Sequence, residues 1–413
     1  MKLTKQERSW ILYDVANSAF TLIITATLPI YFRAMAESAG VADNIVSAWW
    51  GTATSISLLV LACLSPFLGA MADYKGYKKR LFVIGLLISV VSAFAFTFAT
   101  DWQVFIALYI VARLGYSACN IFYDGMLVDI TTDERMDHIS SLGYAYGYIG
   151  STIPFIAGIL LIFFGEKIGI STQLATQLSF VIIIVWWLVL SIPLIKNVEQ
   201  IHYLEKHDNI VTSSVSRVRK TLVDIKQSPR ILFYILAYFF YIDGVYTIIS
   251  MATAYGGEVG ISSDQMLLAL LLTQFVAFPF AIFSVNFAKR YSQIKVIKFY
   301  ILMYMFIAVF GFFLKYTWQF WFLAILIGMA QGGIQSLSRS YFGQMIPKHK
   351  ANEYFGFFDI FGKFADFMGP LIIAISSVVF GHSRYGVLLL VVLFIIGYAL
   401  LTKVEKIENE TVV

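Results

Sequence analysis

Eight ionisable side chains stand inside stretches otherwise apolar enough to cross a membrane: Asp14, Asp124, Asp243, Asp359 and Asp366 against Arg113, Arg339 and Lys363. A carboxylate at membrane depth costs roughly 2.5–3.5 kcal/mol on insertion scales, so each is expected to face water or a partner rather than lipid. If every base takes an acid, two acids are left over, and a desolvated carboxylate without a counter-charge can take up and release a proton. Asp243, about four turns into its span, and then Asp124 are the candidates for that role. A static network of ion pairs and hydrogen bonds that positions the helices is the alternative for each residue.

Spacing supports an aqueous path. Asp14, Ser18, Thr21 and Thr25 recur at i, i+4, i+7 and i+11 with Asn17 beside them, which is one face of a helix. Asp243, Tyr246, Thr247 and Ser250 repeat the pattern, and Asp359, Lys363 and Asp366 share a face on a third span. A fourth carries Gln331, Gln335 and Arg339. Asp14, Asn17, Arg113, Gln335, Arg339, Asp359, Lys363 and Asp366 are therefore candidates for a substrate cavity. The bases would pair with acids or hold a substrate carboxylate or phosphate. Gly143, Gly147, Gly150, Pro154 and Gly158 form a small-residue stripe suited to close helix crossing.

No catalytic constellation is present: HExxH, GxSxG, the phosphate loop and a His/Cys cluster with ligand spacing are all missing. No enzyme activity, cofactor or metal is expected. Cys63 and Cys119 read as small hydrophobes within apolar runs, and His202 and His207 as surface residues of a polar loop.

The elements that must position these groups are membrane helices. The chain has 413 residues, 59% hydrophobic and 13% charged, with mean hydropathy +0.77. A soluble domain carries about 25% charge. Hydropathy predicts an all-α polytopic membrane protein with 12 spans, near 9–36, 46–72, 80–100, 103–130, 139–164, 174–195, 229–253, 264–287, 296–315, 318–342, 352–379 and 384–402. The first run is long and lacks a small-residue cleavage site, so it is read as a retained helix rather than a signal peptide. The long polar segment 196–228 divides the chain into six-helix bundles at 1–195 and 229–413, an arrangement shared by many secondary transporters.

Of 30 Lys and Arg, 23 fall in the segments that are inner if the N-terminus is cytoplasmic. Only Arg33, Lys167, Lys315 and Arg384 fall in the outer loops. Both termini are therefore expected in the cytoplasm, and the +5 net charge marks orientation rather than nucleic-acid binding.

Between the second and third spans stands GAMADYKGYKKR, residues 69–80. It resembles the loop signature of the major facilitator superfamily. That resemblance implies a cytoplasmic latch built from Gly69, Asp73, Gly76, Lys79 and Arg80, within a basic cluster that also holds Lys78, with Asp129 as a further partner. The equivalent loop of the second half, FAKRYSQIKVIK at 287–298, keeps the bases but has neither the Asp nor the glycines, so an asymmetric latch is expected.

Five strings, WILYDVANSAF (10–20), GYAYGYIGS (143–151), LAYFFYIDGVYTII (236–249), GGIQSLSRSYFGQMIP (332–347) and EYFGFFDIFGKFADFMGP (353–370), run in order along the chain. Together they resemble the autophagy-related vacuolar effluxer family of the major facilitator superfamily. The resemblance implies a major facilitator fold and carries the family's polar motif onto Asp14, Asn17, Asp243, Gln335, Ser338 and Arg339. Asp124 stands where bacterial relatives usually carry Asn, Asp243 lacks the family's polar neighbour, and Asp366 is an addition.

The implied function is a proton-coupled secondary transporter that exports amino acids or related small metabolites. Lysolipids, other amphiphiles or drugs are the alternative cargo, and a non-transporting sensor or scaffold is the rival class. The expected partners are a small-molecule substrate, protons and the lipid bilayer, with the protein a monomer in the cytoplasmic membrane.

Overall fold

Helices account for almost all of the computed structural model, which describes residues 2–205 and 210–412. They are α1 (Lys5–Leu22), α2 (Leu28–Ser38), α3 (Asp43–Ala72), α4 (Tyr77–Thr97), α5 (Trp102–Ile130), α6 (Asp133–Phe164), α7 (Thr172–Asn197), α8 (Ile210–Gln227), α9 (Pro229–Glu258), α10 (Ser263–Tyr291), α11 (Gln293–Phe312), α12 (Thr317–Met345), α13 (Ala351–Phe380) and α14 (Arg384–Val412). A π-helical turn, Ile23–Thr27, joins α1 to α2 so that Lys5–Ser38 runs as one span. Among the described residues, eleven helices are long and apolar enough to cross a membrane, and α13 holds the shorter apolar tract Leu371–Phe380.

Local chemistry sets the ends. Thr4 and Glu7 close a capping box at the start of α1, and Asp101 Oδ1 accepts the N–H groups of Gln103 and Val104 at the start of α5. Ser171 caps α7, and Pro229 occupies the first turn of α9, where a missing N–H costs nothing. Pro66, Pro154, Pro193 and Pro279 lie inside long helices, as membrane spans tolerate when neighbours re-satisfy the freed carbonyls.

Two compact units result. The first comprises Met1–Thr131, Tyr146–Ile210 and His349–Gly356; the second comprises Thr132–Ala145, Val211–Lys348 and Phe357–Val413. Three helices therefore change unit along their length: α6 after Ala145, α8 after its first residue, Ile210, and α13 after Gly356. The first unit is cored by aromatics of α1, α5 and α7, with Trp10 stacked on Tyr123 at 4.4 Å and Phe20 on Trp187 at 4.7 Å. In the second, Phe358 lies between Tyr238 and Phe342, at 3.7 and 4.4 Å. Such offset pairs add roughly 0.5–1.5 kcal/mol each beyond area burial.

Candidate functional site

The 69–80 motif is built around one buried carboxylate. Asp73 terminates α3 and is fully buried. Its Oδ1 accepts the backbone N–H and the side-chain amide of Asn352, both at 2.9 Å, and its Oδ2 accepts the N–H of Glu353 at 3.0 Å. Those two backbone donors lie in the first turn of α13, where helical N–H groups have no partner of their own, so Asp73 caps α13 from a different helix. Close approach requires the glycines. A Cβ on Gly69 would lie 2.2 Å from the Asn352 carbonyl oxygen, one on Gly125 2.0 Å from Asn352 Oδ1, and one on Gly356 2.5 Å from the Ser65 carbonyl. Burial pushes the Asp73 carboxyl up to about 7; Lys78 and the Asn352 and Glu353 hydrogen bonds oppose that rise, and the Glu353 charge adds to it.

The remaining motif residues divide the work unequally. Gly76 turns the chain with φ +77° ahead of α4 and donates its N–H to Gln200. Lys78, 1% exposed, donates to Asp129 Oδ2 at 2.5 Å and to the Gly125 carbonyl at 3.1 Å. Lys79 is half-exposed and Arg80 exposed, so the base that meets Asp129 is the first of the three and not the two that the resemblance assigned. Asp129 Oδ1 also receives the N–H groups of Ile201 and His202. His202, read from sequence as a surface residue, brings its ring Nδ1 within 3.2 Å of the same oxygen. The segment around it is strapped down by paired backbone bonds, Leu204 N–H to Asp73 O and Lys75 N–H to Leu204 O. His207 lies outside the described residues.

The second unit has a counterpart built from other residue types. Asp137, in the first part of α6, accepts the Ser340 hydroxyl at 2.6 Å and the Gln293 amide at 2.5 Å. Ser140 and Ser141 bond to Ser336, and Arg339 donates to the Ser140 hydroxyl and carbonyl at 3.0 Å each while lying 4.2 Å from the centre of the Tyr144 ring. In this loop the acid has moved from the turn onto α6. Ser292, ahead of α11, also has a positive φ of +85°, but with ψ 151° it lies outside the left-handed helical region that Gly76 occupies at ψ 1°.

Deeper in the spans, Asp14 accepts the Tyr123 hydroxyl at 2.9 Å, and Asn17 Nδ2 donates to Asn120 Oδ1 at 2.9 Å. Thr21 meets Tyr116 at 2.6 Å, two positions before the π-helical turn begins at Ile23. The glycine stripe of α6 packs here: a Cβ on Gly147 would meet Ser18 at 2.7 Å, and one on Gly150 would meet Val15 at 2.4 Å. Arg113 donates to the Tyr109 hydroxyl at 2.7 Å, and Asp124 is half-buried on the same helix. Asn120, Tyr116 and Tyr123 escaped the sequence reading, although Tyr116, Asn120 and Tyr123 recur at i, i+4 and i+7.

In the second unit Asp243 is 1% exposed. Its Oδ1 accepts the backbone N–H of Gly369 at 2.8 Å and the Thr247 hydroxyl at 3.5 Å. A Cβ on Gly369 would lie 1.5 Å from Thr247 Oγ1, so only glycine lets the α13 backbone reach this carboxylate. Lys363 Nζ stands 3.9 Å from Asp359 one helical turn away. Gln335 is half-buried on α12, and Ser338 joins the hydroxyls of Tyr241 and, through its carbonyl, Tyr234. The Asp366 side chain lies outside the described residues.

The family described as vacuole effluxer Atg22 like matches residues 4–410. The chain is 44% identical over 410 residues to the MFS-type transporter YxiO of Bacillus subtilis, covering 98% of this chain and 96% of that one. It is 22% identical over 388 residues to autophagy-related protein 22 of Saccharomyces cerevisiae, covering 80% and 73%. Among solved structures, the human organic anion transporter MFSD10 superposes with TM-score 0.74 at 14% identity, covering 96% of this chain and 99% of that one. FucP in its outward conformation gives 0.70 at 14%, covering 97% of each. The fold is that of the major facilitator superfamily.

Proposed function

This chain belongs to the Atg22-like vacuole effluxer family of the major facilitator superfamily, and from that membership we propose that it is a proton-coupled exporter of amino acids or related small metabolites. It is a multi-pass membrane transporter rather than an enzyme. The excess of Lys and Arg in the segments around residues 73–80, 196–230 and 288–298 supports a cell membrane location with both termini cytoplasmic.

The observation that carries the proton role is the Asp243–Gly369 contact. An ionised Asp243 offers the stronger acceptor to the Gly369 N–H, and protonation weakens that bond. The charge on one carboxylate of α9 thereby sets the hold on the middle of α13, the helix whose first turn is capped by Asp73. A proton and a rearranging helix are coupled through one hydrogen bond, as alternating access requires. Asp124 is the second proton candidate. Asp14, Asn17, Arg113, Gln335, Arg339, Asp359 and Lys363 would line or gate the solute path.

The test uses protein in liposomes with an internal pH dye, screened with amino acids, dipeptides, lysolipids and cationic drugs. Proton flux driven by amino acids and lost in Asp243→Asn is the expected result. Flux driven only by lysolipids or drugs would overturn the cargo, and undiminished flux in Asp243→Asn would overturn the proton role.

A further inference from the structure

Transport does not account for the exposed surface of α8. Val211, Val215, Val218 and Leu222 recur at i, i+4, i+7 and i+11, a single face at about 100° per residue. Val211 is 58%, Val215 59% and Leu222 43% exposed. The side of α8 packed on the protein is a different one, formed by Ser214, Thr221 and Ile225. Arg219 and Lys226, both exposed, stand one turn beyond Val215 and Leu222, along the edge of the apolar face. The helix carries four bases, Arg217, Arg219, Lys220 and Lys226, and one acid, Asp224.

Its position in the chain limits what this face can meet. Ser228 alone separates the end of α8 at Gln227 from Pro229, the first residue of the membrane span α9. One residue reaches at most about 3.6 Å, so α8 ends at the level where α9 enters the bilayer. An apolar stripe edged by cations at that depth has the composition of a helix lying in the headgroup boundary.

We propose that α8 is an interfacial helix that binds an anionic lipid surface, with Val211, Val215, Val218 and Leu222 seated at the acyl boundary and Arg219 and Lys226 on headgroup phosphates. Lys220 projects from the far side of the helix and stays in water.

Spin labels at Val215→Cys and Lys220→Cys, each with Cys63→Ser in the full-length chain, test this; Cys119 is buried. Labelled protein is placed in phosphatidylglycerol or phosphatidylcholine nanodiscs and relaxed by oxygen, which concentrates in lipid, or by a water-soluble nickel chelate. In phosphatidylglycerol, oxygen should dominate at position 215 and nickel at 220. Nickel access at 215 should rise by about fivefold or more in phosphatidylcholine, and equally for Arg219→Glu/Lys226→Glu in phosphatidylglycerol. Nickel access at 215 matching that at 220 in phosphatidylglycerol would overturn the proposal. So would exclusion of both relaxants, which marks a protein cover, or lipid insertion indifferent to headgroup charge. The readout is position, so it stands or falls separately from the transport assay.

Discussion

The carboxylate of Asp73 accepts the backbone N–H of Asn352 at 2.9 Å, across 279 positions of sequence. With the Glu353 N–H on its other oxygen, it caps the first turn of α13 from the end of α3. Asp73→Ala would leave these donors buried and unpaired, lowering stability by about 1–3 kcal/mol in thermal unfolding of the detergent-solubilised protein. The loss should depend on pH. Burial lifts the folded-state pKa to about 7, above the ordinary 3.8, so the folded protein binds this proton more tightly than the unfolded chain. The contribution of Asp73 is then full below the ordinary value and is lost as pH rises through about 7. The stability gap between parent and Asp73→Ala should be wider at pH 5 than at pH 8; a gap that widens with pH would contradict this.

Lys78 and Lys79 are neighbours with opposite expectations. Lys78→Met takes the cation from the buried Asp129 carboxylate, which keeps the Ile201 and His202 N–H donors, and should cost about 3 kcal/mol, while Lys79→Met should change stability by less than about 0.5 kcal/mol. Denaturation midpoints of the two variants check this directly. Equal losses would show that the basic cluster acts as a diffuse charge.

Ser292 holds a backbone conformation, φ +85° and ψ 151°, that favours glycine. Ser292→Gly should raise stability by about 1 kcal/mol by relieving the Cβ, since the side chain is exposed. A loss in the same assay would mean that the serine hydroxyl is needed in the turn.

Gly369→Ala places a methyl group on Thr247 and pushes the α13 amide away from Asp243. Solute-driven proton flux should be abolished in this variant even where membrane insertion and elution as a folded monodisperse species are retained. Flux at the parent rate would show that the Asp243–Gly369 contact is dispensable.

The helices were legible because membrane spans announce themselves by local hydropathy: α9 begins at Pro229 and α14 at Arg384, as read from sequence. The motif glycines and Asp73 were legible because the turn and helix end are local too. What could not be read is which partner each polar group meets. Nothing near Asp73 points to Asn352, and nothing in three consecutive bases says that Lys78 turns inward, since that depends on where Asp129 falls across a helix–helix contact. Nothing near Arg339 points to Ser140 either, whose hydroxyl and carbonyl accept from it out of a helix almost two hundred positions away. The strained Ser292 was hidden for a different reason, because a backbone imposed by packing on a residue that does not favour it leaves no compositional trace.

Coupling of a proton to solute movement through Asp243 is what the proposed function requires above all. The most direct measurement compares, for parent and Asp243→Asn in proteoliposomes, exchange of radiolabelled solute at equal pH with accumulation driven by an imposed pH gradient. Asp243→Asn should retain exchange and lose gradient-driven accumulation. Accumulation that persists at the parent level in Asp243→Asn would contradict it.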